Sequence, residues 1–398
     1  MIRNAHPHMR YRRFGKTNLQ ISVFTLGTMR FLHGWDKPAD ELPQDSLENS
    51  YEVIQTALDN GVNLIETAKG YVKSERLIGR ALPRLTQKRD DYYLMSKAKP
   101  DADPEAMRRY VLESIENLGV EKLDLFAFHG INCERDFDNT FRPGGALDIL
   151  NEMRREGLVD HIGFSTHGPP QLILRAIATG AFDFVNLHYY YFRRMNAGAI
   201  HLANALDMGV FIISPNDKGG HLYAAPEPLL QQTAPLHPVT FNERFILANP
   251  QIHTMSLGLS EPAHMDLHLK TLQTEGDAPF WSAAERSIDR RMQEAAAESA
   301  LFACGHCVNC LPCPERINIP EVLRMAHLAQ VHHMLPFGQT RYGEMDPNGV
   351  WFPGAAANIC TRCNECLPRC PQNLNIPERL FAAHDQLFHA DKQSNQPN

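Results

Sequence analysis

The sequence predicts an α/β protein, a closed (β/α)8 TIM barrel followed by a C-terminal α-helical ferredoxin-like domain. Over roughly the first 275 residues, short apolar or β-branched runs alternate eight times with helical patterns. Eight strand–helix units favour a closed barrel over an open doubly wound sheet. Eight of the nine cysteines then fall in two tight runs between Cys304 and Cys370, which is typical of an iron–sulfur module.

The predicted strands share short length, apolar character and a following helical pattern. They are Thr25–Arg30, Val62–Thr67, Tyr92–Ala98, Leu123–His129, His161–Thr166, Phe184–Leu187, Val210–Ser214 and Thr254–Leu257. Before them, Tyr11–Arg13 and Gln20–Val23 flank a Gly-Lys-Thr-Asn turn and predict a hairpin that closes the barrel bottom. No Gly-x-Gly-x-x-Gly motif follows the first barrel strand, which argues against a Rossmann dinucleotide fold.

The helices between the strands show amphipathic spacing. Met107, Val111, Ile115 and Leu118 share one helical face. That helix is preceded by Asp103-Pro104, a capping residue followed by proline at the first helical position. We therefore expect a helix from about residue 104.

Length and composition set the domain organisation and exclude several classes of function. A chain of 398 residues exceeds what one core usually holds. We predict a barrel at residues 10–275, a linker helix at 276–302, the ferredoxin-like domain at 303–385 and a polar, disordered tail at 386–398. A net charge of −7 gives no reason to expect nucleic-acid binding, and no apolar run approaches a membrane span. We expect a cytoplasmic location, whose reducing conditions suit free thiolates.

Each cysteine run ends in Cys-Pro, and the second has the x2, x2, x3 spacing of a bacterial-type [4Fe–4S] centre. In that pattern the fourth cysteine binds the other cluster, so two clusters with crossed ligation are predicted. Zinc usually takes its ligands as two separated pairs, and disulfides need an oxidising compartment. The first run has an x2 gap before Cys313, which makes this ligand the least regular. The predicted ligand sets are Cys304, Cys307, Cys310 and Cys370 for one cluster, and Cys360, Cys363, Cys366 and Cys313 for the other.

The two runs also form an internal repeat. Asn-Ile-Pro-Glu follows each run, at residues 318–321 and 375–378. Proline in the first turn and glutamate near the positive helix end indicate a helix start in both copies. Helical periodicity from Pro320 to about His333 favours a helical ferredoxin module over a compact hairpin type.

Three consecutive predicted strands end in a titratable residue, namely Glu66, Lys97 and His129, and Tyr71 lies five residues after Glu66. Each alone could be a rim salt bridge or a packed side chain, but catalysis in such barrels occurs at the C-terminal strand ends. A lysine cation would lower the tyrosine pKa, a carboxylate would hold the lysine, and a histidine would orient the substrate oxygen. Together they would form a proton donor for a carbonyl that receives a hydride.

Further motifs accompany these residues and the cysteine runs: Tyr-Arg-Arg-Phe-Gly-Lys-Thr-Asn-Leu at residues 11–19, Leu-Gly-Thr-Met-Arg at 26–30, Glu-Thr-Ala-x2-Tyr-x2-Ser-Glu-x2-Ile-Gly at 66–79, and Ile-Gly-Phe-Ser at 162–165. With these motifs the chain resembles the aldo-keto reductases, in particular the subgroup with a C-terminal [4Fe–4S] dicluster ferredoxin domain. By this resemblance Tyr71 is the acid/base, Lys97 tunes its pKa and His129 orients the substrate. Glu66 stands where the family has aspartate.

The resemblance also implies a nicotinamide cofactor, NADPH or NADH. Ser165 and Asn186 would hold the nicotinamide carboxamide. The residues for the phosphates are Lys218 and Gly219, in the loop 216–220 along the pyrophosphate, with Gly258 and Ser260 at the adenosine phosphate. Thr166 replaces the family's asparagine, and near the 2′-phosphate the sequence offers His264 and His268 rather than lysine or arginine.

The predicted function is therefore that of an oxidoreductase. NAD(P)H would reduce a small carbonyl-type substrate in the barrel, and two [4Fe–4S] clusters would transfer single electrons, with a redox partner protein such as a ferredoxin. A hydride carries two electrons whereas a cluster passes one, and the sequence has no flavin motif to interconvert them. The alternative is an electron-transfer or scaffold protein whose barrel is catalytically impaired and whose clusters serve a partner.

Overall fold

The computed structural model describes residues 1–32, 38–217, 220–273, 280–298, 304–347, 349 and 352–389. These residues belong to two compact units. The first unit comprises Met1–His188, Ala197–Pro215 and Asn249–Asp277, and the second comprises Tyr189–Asn196, Asn216–Ala248 and Ala278–Asn398. Two segments inside the range predicted as barrel, 189–196 and 216–248, are thus grouped with the C-terminal residues.

The first unit begins with a two-stranded antiparallel hairpin, β1 (Tyr11–Arg13) and β2 (Gln20–Ser22), as the sequence predicts. Phe14, between the two strands, is fully buried and its ring centroid lies 5.6 Å from that of Phe184. Phe14 and Ile21 belong to the same apolar cluster as the barrel interior. The hairpin therefore closes one end of the barrel core.

Eight parallel strands form a closed barrel in the described part of the chain. Their order around the barrel follows the sequence, and the last strand pairs with the first. The prediction of a (β/α)8 barrel is confirmed. The strands are β3 (Phe24–Gly27), β4 (Leu64–Glu66), β5 (Tyr93–Ala98), β6 (Leu123–His129), β7 (Val159–Ser165), β8 (Phe184–Leu187), β9 (Gly209–Ile212) and β10 (Thr254–Gly258).

The helices of the first unit connect these strands. In α3 the carboxylate of Asp103 accepts a hydrogen bond from the Glu105 backbone N–H, as predicted from the Asp-Pro pair. The helices are α1 (Gln44–Asp59), α2 (Ser74–Ala81), α3 (Pro104–Leu118), α4 (Glu134–Phe141), α5 (Ala146–Arg155), α6 (Pro170–Ala178), α7 (Ala197–Ala205) and α10 (His264–Leu272).

The second unit is helical. Its core is an apolar cluster of residues from the last three helices, against which five of the cysteines pack. In both sequence repeats a helix begins at the isoleucine of Asn-Ile-Pro-Glu, with proline in the first turn. The helices are α8 (Glu227–Thr233), α9 (Pro238–Leu247), α11 (Ala283–Glu298), α12 (Ile319–Val331), α13 (Leu335–Gly343) and α14 (Ile376–Leu387).

Candidate active site and cysteine centre

A buried ion pair lies at the C-terminal end of the barrel. Glu66 ends β4 and Lys97 lies on the neighbouring strand β5, so the two side chains meet in direct contact. Both are almost fully buried, with side-chain exposures of 3% and 1%. Lys97 Nζ also donates to the Thr67 carbonyl at 2.9 Å, and Ser256 Oγ donates to Glu66 Oε2 at 3.1 Å. These hydrogen bonds help to offset the desolvation of a buried pair and hold its geometry.

Tyr71 lies against this pair. Its hydroxyl donates to Glu66 Oε1 at 3.4 Å, and Lys97 Nζ is 4.9 Å from the centre of its ring. The His129 ring contacts the Tyr71 ring edge-to-face, with 5.5 Å between the centroids. The structure therefore brings the four predicted residues together at one end of the barrel.

The pKa of Tyr71 shifts in the direction opposite to the one expected from a neighbouring cation. Burial raises the pKa of Tyr71 above its ordinary value, because the phenolate would be poorly solvated. Burial also lowers the pKa of Lys97 well below its usual range, an effect that the carboxylate in contact with it opposes. Tyr71 is thus held in its protonated form, which suits a proton donor.

The residues expected at the nicotinamide carboxamide lie beside this group. In the strand register His129 pairs with Ser165, and Ser165 pairs with Asn186. Both predicted residues are buried. The Asn186 side-chain Oδ1 is buried with no hydrogen-bond partner among the described residues. Thr166, which replaces the family's asparagine, donates its hydroxyl to the Ile131 carbonyl at 2.9 Å.

The residues expected at the adenosine phosphate lie at the end of β10. Arg30 donates from Nη1 to the Gly258 carbonyl at 3.1 Å, and Asn49 donates from Nδ2 to the Ser260 carbonyl at 2.8 Å. Arg30 thus brings a basic group to the loop after β10. The sequence analysis did not identify this residue, although it belongs to the Leu-Gly-Thr-Met-Arg motif. Lys218 and Gly219 lie outside the described residues.

Sequence reasoning also missed Ser256 and a histidine pair. Ser256 alternates with apolar residues in β10 and carries no motif. His167 and His188 follow β7 and β8, are buried, and have ring nitrogens 2.7 Å apart. Both histidines could have been found from their positions, because each lies two residues after a predicted site residue, Ser165 or Asn186. Residues two apart lie on the same face of an extended strand.

In the second unit, Asp217 takes part in a buried ionic network. Its carboxylate accepts from Arg324 Nη1 and from the Tyr190 hydroxyl, each at 3.0 Å. Arg324 also donates from Nη2 to Glu321 at 2.7 Å. The network joins α12 to the segment after β9 within this unit.

Five cysteines surround one cavity in the second unit. Residues of both cysteine runs line it, together with Ile319 and Leu380. Burial raises the pKa of Cys366, and the neighbouring thiol groups of three other cavity residues add to this shift. Those neighbours are the two cysteines that precede it in the second run and the last cysteine of the first run. The cysteines lining the cavity are Cys310, Cys313, Cys360, Cys363 and Cys366.

The first run has a corresponding neighbourhood. Burial raises the pKa of Cys304, and the nearby Cys307 and Cys370 add to the shift. Gly305 N–H donates to the Gln372 side chain at 2.8 Å, which joins the first run to the end of the second. Each run is thus close to the last cysteine of the other.

The two runs share a backbone conformation as well as a sequence pattern. Three positions in the first run and the turn after it have equivalents in the second run. At all of them a non-glycine residue adopts a left-handed backbone conformation, which is uncommon. Alternation of right- and left-handed residues turns successive N–H groups into a concavity that suits anionic sulfur or phosphate. The pairs are His306 and Arg362 (φ 53° and 56°), Val308 and Asn364 (60° and 62°), and Arg316 and Asn373 (59° and 54°).

All nine cysteines are free thiols. Within the described ranges, no group of three or more His, Cys, Asp or Glu side chains is arranged to hold a metal ion. None of the helices in those ranges is long and apolar enough to cross a membrane.

Comparison with known proteins relates the barrel to one family. Residues 24–229 match the model of the aldo/keto reductase family. The chain is 26% identical over 237 residues to the oxidoreductase YrpG of Bacillus subtilis, covering 54% of this chain and 68% of the relative. It is 28% identical over 155 residues to the methylglyoxal reductase DkgA of Escherichia coli, covering 36% and 51%. The chain thus spans about half to two thirds of the length of these curated relatives.

A solved structure supports the fold. An aldo-keto reductase from Bacillus halodurans, in its holo form, superposes with a TM-score of 0.57 at 17% identity and covers 71% of this chain and 96% of that one. At this identity the likeness concerns the fold alone. The family model, in contrast, covers more than half of the chain. The chain therefore belongs to the aldo/keto reductase family and is an oxidoreductase.

Proposed function

We propose that the barrel reduces a small carbonyl-type substrate with NADPH or NADH. The observation that carries this proposal is the position of the Tyr71 hydroxyl beside the buried Glu66–Lys97 pair, with His129 packed against the same ring. A phenol with a raised pKa remains protonated at neutral pH and can donate to an oxygen that gains negative charge.

Each of the four residues has a separate task in this proposal. Tyr71 holds the proton at its hydroxyl oxygen. Lys97, 4.9 Å from the tyrosine ring, favours the phenolate left after donation, and Glu66 holds Lys97 in place. His129 orients the substrate oxygen. The nicotinamide, when bound, supplies the hydride.

The nicotinamide fits the residues beside this group. Asn186 carries a buried amide oxygen without a hydrogen-bond partner in the described chain, so it can accept from a carboxamide. Ser165 is its register neighbour. Arg30, at the Gly258 carbonyl, supplies positive charge near the expected phosphate site.

We further propose that the two cysteine runs hold two [4Fe–4S] clusters with crossed ligation. Support comes from the cavity that cysteines of both runs line and from the repeated left-handed backbone positions. A cubane cluster is larger than a single ion, so its thiolates stand around a cavity rather than converge on a point. Burial raises the pKa of Cys310 to about 12, and such a thiol becomes a thiolate at neutral pH when it binds metal. The clusters, when bound, supply one-electron transfer.

Anaerobic metal analysis tests the cluster proposal. Two cubanes contain about eight iron and about eight sulfide ions per chain. Stoichiometric zinc without iron would contradict the proposal. About four iron ions per chain would indicate that only one cluster is bound. The x2 gap before Cys313 identifies the first run as the one to examine first.

Spectroscopy of the anaerobic protein separates the remaining functions. Bleaching of the cluster absorbance by NADPH would support coupling between barrel and clusters, and a redox partner protein such as a ferredoxin would then exchange the single electrons. Carbonyl reduction without bleaching would support separate roles. If neither bleaching nor carbonyl reduction occurs, the result would favour the alternative, an electron-transfer or scaffold protein with an impaired barrel.

A further inference from the structure

The amine of Lys73 is buried, and no ion pair to it is found among the described residues. Its side chain is fully buried, and Nζ has no hydrogen-bond partner among the residues that the structure describes. Lys97, which is equally buried, bonds both a carboxylate and a backbone carbonyl. Buried charges in proteins are normally paired, because an isolated one is strongly destabilising. The burial of Lys97 is thus explained by its partners, whereas the burial of Lys73 is not explained by any contact of its Nζ in the described residues.

Lys73 also lies at the start of a helix. It is the residue that immediately precedes α2, an eight-residue helix with no side-chain cap. The start of a helix carries partial positive charge, so a cation is disfavoured there and an anion is favoured. The acidic residue in the first turn, Glu75, is engaged elsewhere, because it accepts from Ser96 at 2.6 Å and from Asn117 at 3.1 Å.

The backbone beside Lys73 is strained. Val72 has φ 47°, a left-handed conformation that a β-branched residue rarely adopts. The strain is held by the surrounding contacts, since Ser74 Oγ bonds the hydroxyls of Thr28 at 2.6 Å and Thr67 at 2.9 Å. Strain of this kind is concentrated at ligand-binding and catalytic segments. Here it lies between the proposed proton donor, Tyr71, and Lys73.

We propose that Lys73 and the start of α2 bind an anionic oxygen group, a carboxylate or phosphate, carried by the substrate. The substrate class would then be carbonyl compounds with an acidic group, such as oxo acids or carboxylated aldehydes. The anion would neutralise the Lys73 ammonium and the positive helix end together. This inference rests on the proposed reductase function for its substrate, but the anion site itself does not. The phosphate of the nucleotide is the other source of the same chemistry.

Thermal unfolding tests the anion site without any catalytic assay. Lys73→Met removes an unpaired buried charge but keeps an apolar side chain of similar length, so without added anion its midpoint should equal or exceed that of the unaltered protein. Inorganic phosphate, compared with sodium chloride at equal ionic strength, should raise the midpoint of the unaltered protein. The rise should be absent in Lys73→Met and retained in Lys16→Met, which removes an exposed lysine near the hairpin. A lower midpoint for Lys73→Met with an undiminished response to phosphate would show that Lys73 is structural, and would overturn the proposal.

Kinetics then identify the source of the anion. For Lys73→Met the ratio of kcat/KM for 4-carboxybenzaldehyde over 4-nitrobenzaldehyde should fall about 10- to 100-fold, the usual worth of a hydrogen bond to a charged group. Lys16→Met should keep the ratio, and Lys73→Arg should restore part of it. An increase in the Kd of NADPH without a change in the ratio would assign the anion to the nucleotide and overturn the substrate assignment. If neither aldehyde is reduced, the reductase proposal fails, and the phosphate response still decides the role of Lys73.

Discussion

Replacing Tyr71 by phenylalanine separates the proposed chemistry of this residue from its packing. The hydroxyl makes one hydrogen bond, to Glu66 at 3.4 Å, which is longer than the usual range for an O–H donor. Its loss should lower the free energy of unfolding by no more than about 1 kcal/mol. The contacts of the ring with His129 and Lys97 remain. Loss of a general acid should lower kcat about 10²- to 10⁴-fold.

The assay is the anaerobic consumption of NADPH with a carbonyl substrate, measured beside the thermal midpoint and the Kd for NADPH. We expect a large fall in kcat with a small change in the other two quantities. Because burial raises the Tyr71 pKa above its ordinary value of about 10, the acid form should persist through pH 10. The rate should therefore not fall between pH 7 and 10 through ionisation of Tyr71. Full activity in Tyr71→Phe would refute the acid assignment.

Three further predictions concern other parts of the chain. Lys97→Met should lower the free energy of unfolding by about 3–5 kcal/mol in denaturant titrations, because it leaves the Glu66 carboxylate buried and unpaired; an unchanged stability would contradict the ion-pair geometry. Cys363→Ser should reduce the iron content from about eight to about four per chain, whereas Cys133→Ser, which removes a second exposed thiol, should leave it unchanged; equal losses would contradict the ligand assignment. Burial lowers the pKa of His253 to about 4, so the unfolded chain binds a proton more readily than the folded one, and stability should be lost as the pH falls below about 6.5. Between pH 7 and 5.5 the expected loss of stability is about 1 kcal/mol. The His253→Asn variant should lack this loss in denaturant titrations, since an asparagine oxygen can still accept from the backbone N–H that His253 bonds.

The barrel and the cluster of Glu66, Lys97 and His129 at its C-terminal end could be predicted, because both depend on short-range sequence patterns. Apolar runs with a following amphipathic helix identify the strands, and polar residues at three consecutive strand ends must converge once the strands are parallel. The boundaries were less accurate. The strand predicted from His161 begins at Val159, because Val159 pairs with Leu123 on the neighbouring strand. Such pairing is a tertiary effect that local composition does not encode.

The features that the sequence did not predict depend on burial and on distant partners. The sign of the Tyr71 pKa shift follows from desolvation, which requires the packed structure. The grouping of residues 216–248 with the C-terminal unit involves contacts such as Asp217 with Arg324, which are 107 positions apart. Lys73 carries no motif of its own, and the lack of a hydrogen-bond partner for its Nζ within the described residues is a property of the packed structure.

The most direct test of the proposed function is the fate of the transferred hydrogen. The protein is supplied anaerobically with NADPH that carries deuterium at both C4 positions of the nicotinamide, together with a carbonyl substrate, and the alcohol is analysed by mass spectrometry. Direct hydride transfer in the barrel predicts one deuterium on the carbinol carbon of every product molecule. A product without deuterium, formed at the expense of NADPH, would mean that electrons and solvent protons arrive separately, and would contradict the account.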